Sequence, residues 1–177
     1  MPLVSGLIPK SLSAQCKSAS LLMNLYLIVK TLHILSATVL FGTGLGIAFF
    51  MFRSMFTDDL QQKYYAARST VLADYLFTFP AAVFQSLSGV WLVWYAGFNW
   101  TDTWLAVTYI LYLLAALCWL PVVWIQIQLR KLIEESIRTG DPLPERYHRL
   151  FRIWFMLGWP AFFGLTVIFY LMVAKPL

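Results

Sequence analysis

The chain has 177 residues, of which 60% are hydrophobic and only 12% charged, and it carries a formal net charge of +5. A soluble domain carries about 25% charged residues, so this composition leaves too little polar surface for water and reads as one domain of ordinary size in a bilayer. The basic residues lie in short segments between apolar runs, where membrane orientation explains them; no nucleic-acid motif accompanies them, and no nucleic-acid partner is expected.

Residues 1–20 read as a polar N-terminal tail, and 21–177 as the membrane domain. Lys10 and Lys17 precede an apolar run, but Lys30 interrupts it and no small-residue cleavage site follows, so the run is read as a true span and not a cleaved signal. Cys16 in the tail and Cys118 in the middle of an apolar segment are expected at depths too different for a disulfide.

Four segments reach the roughly 20 apolar residues that a span requires: about 25–52, 75–95, 103–129 and 150–173. Only helices satisfy their own backbone hydrogen bonds in lipid at this length. The expected fold is therefore all-α, a four-helix transmembrane bundle. The first connection carries Arg53, Lys63 and Arg68, and the third Arg130, Lys131, Arg138, Arg146, Arg149 and Arg152; the hairpin at 97–102 has no Lys or Arg. The positive-inside rule then predicts an N-out/C-out chain with both basic connections in the cytoplasm. Aromatic belts are expected at Trp94, Tyr95, Trp100 and Trp104 outside, and at Tyr64, Tyr75, Trp124 and Tyr147 inside.

The third helix should outrun the membrane, because Leu129, Leu132, Ile133 and Ile137 keep helical spacing among charged neighbours. Gly140 should end it, and Pro142 and Pro144 should delay the next helix. Pro80, Pro121 and Pro160 fall within helices and free the carbonyls of Leu76, Leu117 and Met156. Such kinks can shape a cavity, although they are also common in membrane helices without one.

In the first span, Lys30 and His33 are three apart and share a face that continues through Ala37, Leu40 and Gly44. Ionisable groups at such depth usually face the bundle interior or a cavity. Two readings of His33 stay open: a neutral imidazole bonded to another helix, and a ligand to a cofactor. Lys30 either snorkels to the interface or meets a buried anionic group. The polar residues expected within reach of His33 are Gln85, Ser86, Ser88, Tyr109, Tyr112, Thr166 and Tyr170, of which Gln85, Ser88, Tyr112 and Tyr170 are the candidate pocket. Gly42 and Gly46, on the opposite face, suit tight helix packing. His148, at the other end of the bundle, reads as a solvated interfacial residue. Arg149 and Arg152 read as an anion or lipid-headgroup contact. No acidic residue falls inside any expected span, which argues against a carboxylate relay and a hard-cation site. No glycine-rich phosphate loop, His-Glu-x-x-His motif or Ser-His-Asp set is present.

Residues 26–37 (YLIVKTLHILSA), Phe41, Gly42 and Arg53, with 147–150 (YHRL), Trp154, Gly158, Trp159, Pro160 and 171–176 (LMVAKP), resemble a family of bacterial predicted integral membrane proteins of unknown function. The resemblance covers nearly the whole chain after the tail. The first helix is also similar to those of HemJ-type protoporphyrinogen oxidases and CopD-type copper-resistance membrane domains. In the HemJ group the corresponding histidine is associated with haem, which makes His33 the candidate axial ligand to a haem iron and Lys30 its possible partner in cofactor binding. No second membrane-embedded histidine accompanies it, and the methionines do not cluster at one depth as Cu(I) would require. The resemblance thus implies a multi-pass protein of the bacterial cytoplasmic (inner) membrane that binds haem through His33. If it is an enzyme, it is a membrane oxidoreductase. The alternatives are a non-catalytic subunit or scaffold, packing on a partner protein or a second copy, and a small transporter component.

Overall fold

In the computed structural model, the backbone is described for residues 10–175, and side chains for residue 18 and from residue 20 to 175. Its elements are α1 (Lys10–Arg53), a short 3-10 turn (Ser54–Phe56), α2 (Leu60–Ala73), a π turn (Asp74–Thr78), α3 (Phe79–Ala96), α4 (Thr103–Thr139) and α5 (Glu145–Ala174). Among the described residues, four helices are long and apolar enough to cross a bilayer: Ser20–Phe56, Leu60–Ala96, Thr103–Thr139 and Glu145–Ala174. The all-α four-span architecture follows.

Two boundaries differ from the expectation. The first helix begins at Lys10, so the second half of the segment read as a tail is helical, whereas residues 1–9 and the Cys16 side chain lie outside the described residues. The second helix begins at Leu60, with Asp59 accepting the Gln61 N–H at its start. Lys63 and Arg68 therefore ride on a helix, and the connection before it shrinks to a few residues. A carboxylate cap at the helix start, where amide donors are unmet, explains the early beginning.

The third helix does continue to Thr139 and stops at Gly140, whose φ of 79° is the left-handed conformation that glycine supplies at a helix end. Gly97, at φ 69°, closes α3 in the same way and opens the hairpin. The π turn ends at Thr78, two residues before Pro80. Proline lacks an N–H and its ring crowds the carbonyl four residues back; a wide turn at this point relieves that crowding.

The helices α4 and α5 pair along most of their length, α1 packs on α3, and α2 packs on α4. Two apolar clusters close the bundle. At the basic end Met51, Ala67, Ile125, Leu129, Ile133, Tyr147, Phe151 and Trp154 pack together. At the hairpin end Val93, Trp104, Leu105 and Leu171 do so, with the Lys175 ammonium 4.4 Å from the Phe98 ring centroid. Trp104 and Tyr147 are thus core residues and not belt residues, while Trp94, Tyr75 and Trp124 face outward. Among the described residues, a Cβ at Gly42 or Gly46 would meet nothing within 4 Å.

Candidate functional site

The helix Leu60–Ala96 is amphipathic in the opposite sense to a soluble helix. Leu72, Leu76, Phe77, Phe79, Val83, Leu87 and Val90 point outward. Inward point Lys63, Ala67, Thr70, Asp74, Thr78, Ala81 and Ser88, all buried, and the half-buried Gln85; Val71 and, beyond Ser88, Val93 are the branched aliphatics buried on this helix. Their spacings run 4, 3, 4, 4, 3, 4 and 3. Alternating threes and fours keep one face of a helix. The doubled four falls at Asp74–Thr78, where the π turn absorbs an extra residue and keeps both side chains on the interior face.

At the hairpin end of this face lies a hydrogen-bonded network around His33. His33 Nδ1 is 2.7 Å from Ser88 Oγ, and Nε2 is 2.9 Å from Gln85 Nε2. Ser36 Oγ donates to Gln85 Oε1 at 2.5 Å, and Ser88 Oγ to the Phe84 carbonyl at 2.6 Å. The donors fix the tautomer. Ser88 spends its single hydrogen on the carbonyl, so His33 must donate from Nδ1; Nε2 must then accept from the Gln85 amide. The chain of bonds runs in one direction from Ser36 to Phe84. Gly89 packs against the ring edge, where a Cβ would stand 3.3 Å from His33 Cε1.

This arrangement bears on haem. An axial imidazole needs a free nitrogen lone pair on the iron, and here one nitrogen is protonated and the other accepts from Gln85. As placed, the residues around His33 do not fit an axial ligand. Lys30 is exposed, its ammonium 5.6 Å from the Tyr26 ring centroid. Tyr112 donates to the Ala82 carbonyl at 2.9 Å and accepts from Ser86. Thr166 donates to the Phe162 carbonyl of its own helix. Tyr109 and Tyr170 face outward. Among the residues proposed as a pocket, the structure brings Gln85 and Ser88 to His33 and leaves Tyr112 on a neighbouring carbonyl and Tyr170 outside. Arg149 and Arg152 are exposed at the basic end of α5, and His148 stands edge-on to Tyr147.

A second polar cluster lies lower on the same face and overturns one expectation. Asp74 is inside the helix Leu60–Ala96, 2% exposed, so an acidic residue does lie within a span. At 1.5 Å per residue it stands about 33 Å along the helix from Ala96, near the basic boundary of a roughly 30 Å hydrocarbon layer. Trp119 Nε1 donates to Asp74 Oδ1 at 3.3 Å. Thr78 and Gln126 are the other polar side chains against this carboxyl. Asp74 Oδ2, Thr78 Oγ1 and Gln126 Oε1 are buried with no partner, and so are Arg130 Nε, Tyr147 Oη and Trp154 Nε1 nearer the basic end. Buried polar groups are nearly always satisfied, so six orphans along one end of the interior set this region apart from an ordinary apolar core. A groove of about 800 Å³ between α1 and α2, lined by Arg53, Gln61, Ser69, Thr70 and Ala73 among others, reaches this face one turn below Asp74.

The family described as "Predicted integral membrane protein (DUF2269)" matches residues 27–176. The chain belongs to that family of integral membrane proteins. No curated protein and no solved structure matches it.

Proposed function

We propose that this protein is a small transporter component, in which a small polar or charged species moves along the interior face of the helix Leu60–Ala96. The observation that carries this reading is the face itself: Lys63, Thr70, Asp74, Thr78, Gln85 and Ser88 point inward while the large apolar residues face lipid. Apolar side chains associate well enough in lipid through packing alone. A buried Asp at the edge of the hydrocarbon layer is costly and marks a pathway by default. The groove at Arg53 and Thr70 supplies the entrance, and Asp74 is the first fixed acid beyond it. The basic end faces the cytoplasm of a bacterial cell on this reading, by the positive-inside rule.

Water must reach Asp74 if anything polar does. In nanodiscs, the indole N–H of Trp119, assigned with Trp119→Phe, should exchange with deuterated water within minutes. Protection for many hours would describe a dry interior and remove the pathway.

A second reading rests on Gly42 and Gly46, whose open face suits close approach of another helix. It makes the chain a membrane subunit, and predicts a partner or second copy that is lost in detergent when Gly42 and Gly46 are replaced by Leu.

A further inference from the structure

We infer that Asp74 is a proton-binding site, holding a proton on Oδ2 in the resting protein and exchanging it with water at the basic end. The inference rests on the pathway reading and names the species that the pathway's acid takes up. Asp74 is almost wholly buried, and its side-chain neighbours Thr78, Trp119 and Gln126 are all neutral. Trp119 supplies one hydrogen bond, to Oδ1. Oδ2 has none.

The charged groups around it offer no counter-ion. On its own helix Lys63 lies three turns below, its ammonium over the Tyr147 ring at 5.9 Å, and Arg68 is exposed. On α4 Arg130 lies one turn beyond Gln126, and Cys118 adjoins Trp119. On α1 Arg53 is exposed at the helix end, and on α5 Glu145, Arg146, His148, Arg149 and Arg152 are exposed at this end, with Tyr147 buried. Among the described residues none of these forms an ion pair with Asp74. An ionised carboxylate at this depth would have only the neutral donors Trp119, Thr78 and Gln126 around it and no compensating charge, which is a costly state.

Protonation removes the charge and turns Oδ2 into a donor. Two buried oxygens without partners, Thr78 Oγ1 and the Gln126 amide oxygen, are the acceptors available to it. One proton therefore satisfies the carboxyl and one of the orphans together. The balance is simple: the carboxylate takes one proton from water at the basic end and returns it, with no change in oxidation state and no other reactant.

Infrared difference spectra of the protein in lipid, recorded across a pH titration, test this. At neutral pH a protonated-carboxyl C=O stretch should be present, should move on transfer to deuterated water, and should be lost in Asp74→Asn. In Gln126→Leu and Thr78→Val the band should persist and move to higher frequency in at least one, as its acceptor is removed. The proposal is overturned if the native protein shows no such band at neutral pH, or if the band survives Asp74→Asn. It is also overturned if neither acceptor substitution moves the band. Should Asp74→Asn misfold, the deuterium shift and the acceptor variants decide alone. The Trp119 exchange measurement reports water entry independently, so an ionised Asp74 in a wet interior would end this inference and leave the pathway standing.

Discussion

Trp119 and Asp74 are joined by a 3.3 Å hydrogen bond from the indole N–H to Oδ1, and this single bond ties α4 to the π turn at the basic end of the interior. The indole ring also stacks on Phe79, with centroids 6.5 Å apart. One residue of α4 thus holds both the acid and the helix that restarts after the wide turn. The neighbouring orphaned oxygens gain nothing from this contact, and they set the first prediction.

Gln126→Leu should cost little. Gln126 is 1% exposed, and Thr78 Oγ1 remains as the second acceptor for the Asp74 proton when its amide is removed. The change should stay below about 1 kcal/mol. Reversible unfolding in mixed detergent micelles reads this directly. The same variant should slow deuterium exchange at the Trp119 indole. A loss of stability of about 2 kcal/mol or more would show that Gln126 is a structural strut.

The His33 network should behave as helix glue. His33→Ala removes two hydrogen bonds and leaves the Gln85 amide and Ser88 hydroxyl short of partners, at a cost of about 1–3 kcal/mol. Because both ring nitrogens are engaged, haem added to the purified protein should give no Soret band that depends on His33. A Soret band in the native protein that vanishes in His33→Ala would show that Gln85 gives way to an iron.

Gly89 should tolerate no large side chain. A Cβ there already stands 3.3 Å from His33 Cε1, and the rest of a leucine would drive the ring off its partners. Gly89→Leu should cost about 1–3 kcal/mol as overpacking. Leu87→Ala, on the outward face of the same helix, should cost less than about 1 kcal/mol in lipid.

Orientation is open to a direct test. A cysteine at Asn99, in the hairpin without Lys or Arg, should label in intact cells with a membrane-impermeant maleimide. Labelling only after cell lysis would reverse the assignment of both ends.

Four spans, the overrun of α4 to Thr139 and the stop at Gly140 were legible because apolar length and glycine punctuation are local signals. The start of the second helix was not. Lys63, Arg68 and Asp74 lower the apolar average, which puts the span at 75–95 and leaves Asp74 one residue outside it. The Asp59 cap, a local signal, and the π turn that carries the helix through this stretch are features that an apolar average does not register. The interior face, in contrast, was present in the sequence. Polar and small residues recur at threes and fours from Lys63 to Ser88, a pattern hidden from a search for apolar periodicity. Gln85 and Ser88 were placed with His33 from depth alone. Tyr170 sits at a similar depth but on the lipid face, and depth does not resolve rotation about a helix.

The pathway is tested most directly at Thr78, in a background with Cys118→Ser and Cys16→Ser. Thr78→Cys on the interior face and Phe77→Cys on the lipid face lie at the same depth and differ only in direction. With a small, charged, water-soluble thiosulfonate added from the basic side, Thr78→Cys should react at least about tenfold faster than Phe77→Cys, because charged reagents do not enter hydrocarbon. Equal and negligible reaction at both positions would mean a closed, dry bundle and would contradict the account.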